Sequence, residues 1–178
     1  MPSYPTNPRL VPQKIDFTSR TLATQFQSPY TGKSQTYRYG GQFWELNVTL
    51  PPLFLDDALE LTGFLNSLAG TSTAFIYKLP TKFMTSNTVG ITTTTTGNDF
   101  TVGSGTVSVG KYGYTSTSNR LVQFTSATSL FPKLTPSTGY SINSSSGVNM
   151  RLASNDVQYS VDEMMIHGIV IPMVESFT

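Results

Sequence analysis

The chain has 178 residues, enough for one full domain and at most a smaller second module. Eleven Lys and Arg against ten Asp and Glu leave a net charge of +1. No basic run exceeds two residues, which excludes the electrostatic footprint of sequence-specific nucleic-acid binding. Cysteine is absent, which excludes disulfides, thiolate metal sites and cysteine nucleophiles.

Charged residues are only 12% of the chain, and Ser and Thr make up roughly a quarter. The 38% apolar fraction permits a packed core. Low charge with abundant Thr, Ser, Gly and aromatics suits a β-rich protein with short turns. It suits a surface covered by neighbouring subunits, and it equally suits a secreted β-protein. The segment MPSYPTNPRLVPQKIDF has no apolar signal-peptide core, and no stretch approaches the ~18 apolar residues that span a bilayer. A soluble product is expected.

Pro2, Pro5, Pro8 and Pro12 each remove a backbone donor and bias the preceding residue to extended geometry. Residues 1–14 are therefore expected to form an extended arm, disordered in a monomer and free to lie along a neighbour in an assembly. A first strand is expected over Ile15–Phe26, with Leu22 and Phe26 on one face. Ser28-Pro29-Tyr30-Thr31-Gly32 is a turn signal. A second strand is expected over Gln35–Tyr39, then a tight Gly40-Gly41 hairpin turn, then a third strand over Phe43–Leu50. That third strand alternates cleanly. Trp44, Leu46, Val48 and Leu50 point one way; Phe43, Glu45, Asn47 and Thr49 point the other.

Pro51-Pro52 stops the strand. Asp56 or Asp57 offers an N-cap or first-turn anion for a helix running through Ala69. Leu55, Ala58, Leu61, Leu65 and Leu68 fall on one apolar face, and Gly70 closes the helix. Gly63 within it costs about 1 kcal/mol relative to Ala, and a close approach to a sheet would explain it. A strand over Thr73–Leu79 follows, with Phe75 and Tyr77 alternating against Ala74 and Ile76.

From residue 83 to 147 the chain is rich in Thr, Ser and Gly. Strand-like pieces are expected at Thr88–Thr93, Asp99–Val102, Thr106–Val109, Arg120–Thr125 and Tyr140–Ile142. An ordered small β-module is favoured over a flexible insert, because Val107, Val109, Leu121, Val122 and Phe124 need a core. The denser pattern then returns. Val148–Leu152 reads as a strand; Val157, Tyr159 and Val161 alternate; Asp162-Glu163 makes a turn; Met164–Val174 is the most apolar run and would complete a hairpin. The fold class is mainly β: one domain from residues 15–82 and 148–178 with a flanking helix, and residues 83–147 inserted as an excursion.

Few residues suggest chemistry. His167 is the only histidine and lies in an apolar run, so a structural role is favoured over a general base. Asp56, Asp57 and Glu60 are accounted for by the helix dipole, and Asp162 and Glu163 by a solvated turn. Gly103-Ser104-Gly105 is followed by β-type sequence rather than a helix opening, so it fails as a phosphate loop. Trp44 with Tyr37, Tyr39 and Phe43 could form a sugar platform, but the alternation favours Trp44 in the core. No catalytic, cofactor-binding or metal residue is assigned, and no enzyme activity or cofactor is expected.

The ordered string SPYTG, Gln35, Gly41, Trp44, VTLPP and FLNSLAGTSTAFIYKLP, with the closing MRLASNDVQYSVDEMMIHGIVIPMVE, resembles minor tail proteins at the distal end of tailed-bacteriophage tails. The resemblance covers roughly residues 15–82 and 148–178. It implies a tail-tube-like β-sandwich or barrel and a homo-oligomeric ring, commonly a hexamer, at the tail tip or baseplate hub. It implies tail-tube and tail-tip or baseplate-hub proteins as partners, phage DNA passing through the channel without specific binding, assembly in the host cytoplasm, and no membrane insertion. The alternative is a carbohydrate-binding host-adhesion module, in which Tyr112 or Tyr114 of the insert would contact the glycan.

Overall fold

The computed structural model describes residues 1–93, 100–132, 140–156, 158–162 and 165–177, with the backbone alone at 38–40 and 93. In chain order the strands are β1 (Lys14–Gln27), β2 (Ser34–Thr49), β3 (Leu53–Phe54), β4 (Phe75–Tyr77), β5 (Val89–Thr93), β6 (Phe100–Ser104), β7 (Tyr112–Thr115), β8 (Leu121–Phe124), β9 (Leu130–Phe131), β10 (Tyr140–Asn143), β11 (Val148–Leu152), β12 (Ser160–Val161), β13 (Met165–His167) and β14 (Val170–Glu175). One α-helix, α1 (Leu55–Ser67), follows β3. Among the described residues the fold is mainly β, with three sheets, one of them curled as a half-barrel, and this single α-helix.

The main sheet has the order β1-β2-β14-β11-β4 and is antiparallel throughout. The alternation in β2 places its apolar side chains as the sequence predicts: Trp44, Leu46 and Val48 are buried, and Phe43, Glu45, Asn47 and Thr49 are on the other face. Ile15 and Phe17 of β1 lie opposite Val48 and Leu46 and extend that inner face. From the strands to its right come Ile171, Met173, Met150, Leu152, Phe75 and Tyr77, all nearly inaccessible. Ala58, Leu61, Leu65 and Leu68 of the helix segment close the core. Each such Leu, Ile, Val, Met or Phe side chain contributes about 1.5–3 kcal/mol by leaving water.

Strands β5 to β10, all within the 83–147 excursion, form the second sheet, of order β6-β5-β10-β7-β8-β9. It has a small core of its own from Val89, Ile91, Phe100, Val122, Phe124 and Ile142. The expected β-module is therefore present, with different contents. Thr106–Val109 is not a strand, and β7 and β9 were not anticipated. Of the expected strand positions, Asp99 lies outside the described residues. The module is also joined to the main core, because Met84, Tyr114 and Leu121 pack there rather than in the module.

Several local expectations are corrected. Gly40-Gly41 is not a hairpin turn: β2 runs through it, paired with β1 on both sides. The register shifts there, with Thr21 opposite Gln42 but Ala23 opposite Arg38, so the glycines mark a β-bulge. A Cβ on Gly41 would lie 2.8 Å from Leu22 Cδ1, so the glycine makes room for that side chain. The turn that reverses the chain is Ser28–Gly32, as its Pro and Gly predict; Ser28 N–H bonds the Lys33 carbonyl at 2.9 Å, and Gly32 has φ +66°.

The helix ends at Ser67, with Leu68 as cap, and Ala69 takes the left-handed conformation (φ 50°) before Gly70. Asp56 and Asp57 are first-turn residues; the N-cap position is Phe54, with no side-chain cap. Leu55 is half exposed rather than part of the buried face. Gly63 faces open space, so close packing against a sheet does not explain it. The apolar run near the C-terminus is broken at Gly168 (φ +72°) into β13 and β14, which lie in different sheets. β13 joins β12 and β3 in the third sheet, of order β12-β13-β3. Val157, Glu163 and Met164 lie outside the described residues.

The N-terminal arm is extended, as its prolines require, but it is docked on its own domain. Ser3 forms a parallel bridge with Ile76 on the edge of β4; Tyr4 N–H bonds Ile76 O, and Ile76 N–H bonds Pro2 O, each at 2.9 Å. Leu10 is only 3% exposed and belongs to the main core. The Tyr4 ring meets Phe64 and Tyr77 edge-on, at 5.9 and 5.2 Å between centroids.

Candidate interaction surface

β14 covers β2 only from Glu45 to Thr49, whereas β1 and β2 remain paired out to Gln27 and Ser34. Beyond the five-stranded sheet the two strands therefore continue as a ribbon of their own. Arg20–Gln27 alone reaches roughly 25 Å at strand rise. The even-numbered residues of β1 form its outer face, and the register sets Thr24 against Tyr37 and Phe26 against Gln35. Leu22, Phe26 and Tyr37 thus share one face of the ribbon, which bears out the pairing of Leu22 with Phe26, but that face meets solvent. Leu22 is 50% exposed, Phe26 63%, Tyr37 60%, and Tyr30 in the turn 95%. A two-stranded ribbon is marginally stable alone in water, and clustered exposed apolar groups mark contact surfaces.

The seam between the main sheet and the module is held by charge. The Glu175 side chain is inaccessible, and its carboxylate accepts from Trp44 N–H (3.2 Å), Leu121 N–H (3.3 Å) and Arg120 Nε (3.3 Å). Arg120 also donates to the Gln42 carbonyl at 2.8 Å and lies over the Phe177 ring at 4.7 Å. Burial pushes the Glu175 carboxyl above its ordinary value, against the opposing pull of Arg120 and the two backbone N–H groups. Nearby, Trp44 Nε1 donates to Leu121 O at 3.0 Å, and Leu79 N–H donates to the Tyr114 hydroxyl at 2.6 Å. Burial raises the Tyr114 phenol to about 12, and the Leu79 hydrogen bond opposes the shift.

The residues considered for chemistry are dispersed. His167 is half-buried on β13, opposite Ser160. Asp57 and Glu60 are held by the arm: Asn7 Nδ2 donates to both, at 2.8 and 3.1 Å, and Arg9 pairs with Asp57 at 3.3 Å. The helix dipole was therefore only part of their explanation. Asp162 turns the chain through its N–H to Met165 O, and Glu163 lies outside the described residues. Gly103 and Ser104 end β6, and Gly105 (φ +84°) packs on the Thr88 carbonyl. Among the described residues, no group of three His, Cys, Asp or Glu is placed to hold a metal ion, and no helix is long and apolar enough to cross a membrane.

The four aromatics weighed as a platform do not share a face. Trp44 is buried among Phe17, Tyr112 and Phe131, Tyr37 is on the exposed ribbon, and Phe43 meets Phe177 on the opposite side of the sheet. The Tyr39 side chain lies outside the described residues. Tyr114 is inaccessible and Tyr112 is stacked on Phe17 at 4.8 Å, so the two tyrosines proposed for a glycan site support the fold instead. The Glu175–Arg120 latch and the arm contacts of Asn7, Arg9 and Leu10 were not foreseen. The signal for the latch was a lone Glu ending the apolar run VIPMVE. No protein-family model matches the chain, and no curated protein matches it.

Proposed function

We propose that the chain is a structural component of a bacteriophage tail, a homo-oligomeric ring protein of the distal tail or tail tip. In this reading the ring extends the DNA conduit and docks tail-tube and tip or baseplate-hub proteins. The observation that carries it is the β1–β2 ribbon, on which Leu22 and Phe26 share one solvent-exposed apolar face. The sparse charge of the chain and the tail-protein resemblance of residues 15–82 and 148–178 support the same reading. A ring subunit presents such a surface to a neighbour, and closed rings use one heterologous contact repeatedly.

The test is native mass spectrometry of the purified protein, with negative-stain imaging of the same sample. Closed rings of about six copies with a central hole are expected. A monomer at every concentration, both alone and with a pre-formed tail tube, would count against the ring.

A further inference from the structure

We propose that the outer edge of β1 pairs antiparallel with the β1 edge of a second copy, about a two-fold axis at Thr24, so that two ribbons join into one four-stranded sheet. The inference goes beyond the ring reading, because a two-fold contact pairs copies and closes no ring by itself.

β1 has 14 residues and ends the main sheet, with β2 as its strand partner. An edge strand turns part of its N–H and C=O groups away from the sheet, and such a row is a template for another strand. Among the described residues, no group bonds the backbone on that outer side of β1 between Ser19 and Gln27. Ile15 and Phe17 lie beside Pro80–Phe83, so the open stretch begins after them. β1 also lacks the usual defences of an edge. From Phe17 to Gln27 it has no Pro and no Gly, and its one charge, Arg20, is paired with Glu45 at 2.9 Å. The bulge does not protect it, since the extra residues are on β2: the step from Thr21 to Ala23 is matched by that from Gln42 to Arg38.

Length commits the partner. Among the described residues the other sheet edges are short: β6 has five residues, β4 three and a bridge to Ser3 of the arm, and β3, β9 and β12 two each. The edge that matches β1 is therefore the β1 of another copy. Charge and shape then choose the register. A two-fold axis normal to the sheet keeps like faces on one side, so even residues oppose even residues. An axis at Arg20 would set two guanidinium groups against each other. An axis at Leu22 would carry each Ser28–Gly32 turn to Asp16, into the stretch flanked by Pro80–Phe83. With the axis at Thr24, Leu22 opposes Phe26 of the second copy, Phe26 opposes its Leu22, and the turn begins opposite Arg20, short of that stretch. This axis alone gives both apolar side chains apolar partners. Two strands are marginal in water, whereas four with an apolar face can hold. The joined sheet carries Leu22, Phe26 and Tyr37 of both copies on one side, so the face that the ring reading uses stays open and is doubled.

The absence of cysteine makes the test clean. Directly opposed Cβ atoms in an antiparallel pair are about 4.5–5.5 Å apart, so the Thr24→Cys protein is expected to give a disulfide-linked dimer on mild oxidation. Ser19→Cys, at an exposed site, lies roughly 30 Å from its copy in this register and should not link. Thr24→Lys sets two ammonium groups opposite each other and should weaken pairing by about tenfold or more, read by native mass, with the monomer still folded by circular dichroism. Equal linkage at both positions, or more at Ser19→Cys, would overturn the proposal. Rings in the native mass of a Thr24→Cys protein that never links would overturn this contact and leave the ring standing. Linked pairs without rings would support the contact and count against the ring. A monomer in every sample would overturn the contact.

Discussion

The carboxylate of Glu175 on β14 and the guanidinium of Arg120, which leads into β8, meet at 3.3 Å across the seam between the two sheets. Arg120 is 17% exposed on its side chain and Glu175 not at all, so the acid depends on its donors. Arg120→Ala should destabilise the protein by about 3–5 kcal/mol, because it leaves a buried charge uncompensated. The pH dependence checks the cause. Burial raises the folded carboxyl above 4.5, so its favourable contribution is complete below that value and is lost as pH rises through the folded pKa. Removing Arg120 takes away the largest influence that lowers it. The stability gap between wild type and variant in urea titrations should therefore widen from about pH 4 to about pH 7. A gap that narrowed over this range would mean that the pair is not what stabilises the ionised form.

Trp44→Ala should cost about 3–5 kcal/mol. The indole is buried against Phe17, Tyr112 and Phe131, and its N–H is tied to Leu121 O. Its loss opens a cavity and leaves that carbonyl without its donor. Trp44→Phe keeps most of the packing and should recover more than half of the loss. Chemical denaturation of both variants decides this. Equal losses would assign the effect to the hydrogen bond alone.

The fold was legible wherever one short-range pattern decided the outcome. The alternation from Phe43 to Leu50 needed nothing beyond a period of two, and the structure buries the residues it selected. Ser28–Gly32 carried its own turn chemistry. Gly40-Gly41 misled because the same dipeptide serves a tight turn and a bulge, and only the strand opposite, with Leu22 above Gly41, distinguishes them. The arm misled because prolines report extended geometry, not where an extended segment lies; Tyr4 finds its ring partners in Phe64 and Tyr77, and Leu10 joins the main core. The interaction surface was half legible. Leu22 and Phe26 were assigned to one face, but their exposure depends on where β14 stops covering β2, which no local pattern encodes.

Deleting residues 83–147 with a short linker should unfold the remainder rather than leave a ring-competent domain. The module removes Met84, Tyr114 and Leu121 from the main core when it goes. It also removes the acceptors for Trp44 Nε1 and Leu79 N–H and the cation facing Glu175. Loss of the cooperative melting transition in the truncated protein is the expected result. A sharp transition would mean that the main core repacks without the module.

Deleting residues 1–13 should also destabilise the monomer, by about 3 kcal/mol or more. Leu10 alone accounts for about 1.5–3 kcal/mol of burial. Asp57, which is largely buried, loses both Asn7 and Arg9. An unchanged urea midpoint would show that the arm is not anchored on its own domain. Asn7→Ala gives a smaller step, about 1 kcal/mol, which separates the polar tie from the apolar one.

Exchange of Leu22 and Phe26 for Ser should behave in the opposite way. Both side chains are at least half exposed, on a ribbon beyond the last strand pair made by β14. Substitution there should change monomer stability by no more than about 0.5 kcal/mol. If the ribbon is a subunit contact, the same double variant should lose ring formation at concentrations where the wild type assembles, read by native mass. A variant that assembles normally would remove the ribbon from the interface. One that unfolds with the cost of Trp44→Ala would show the ribbon packed on its own core.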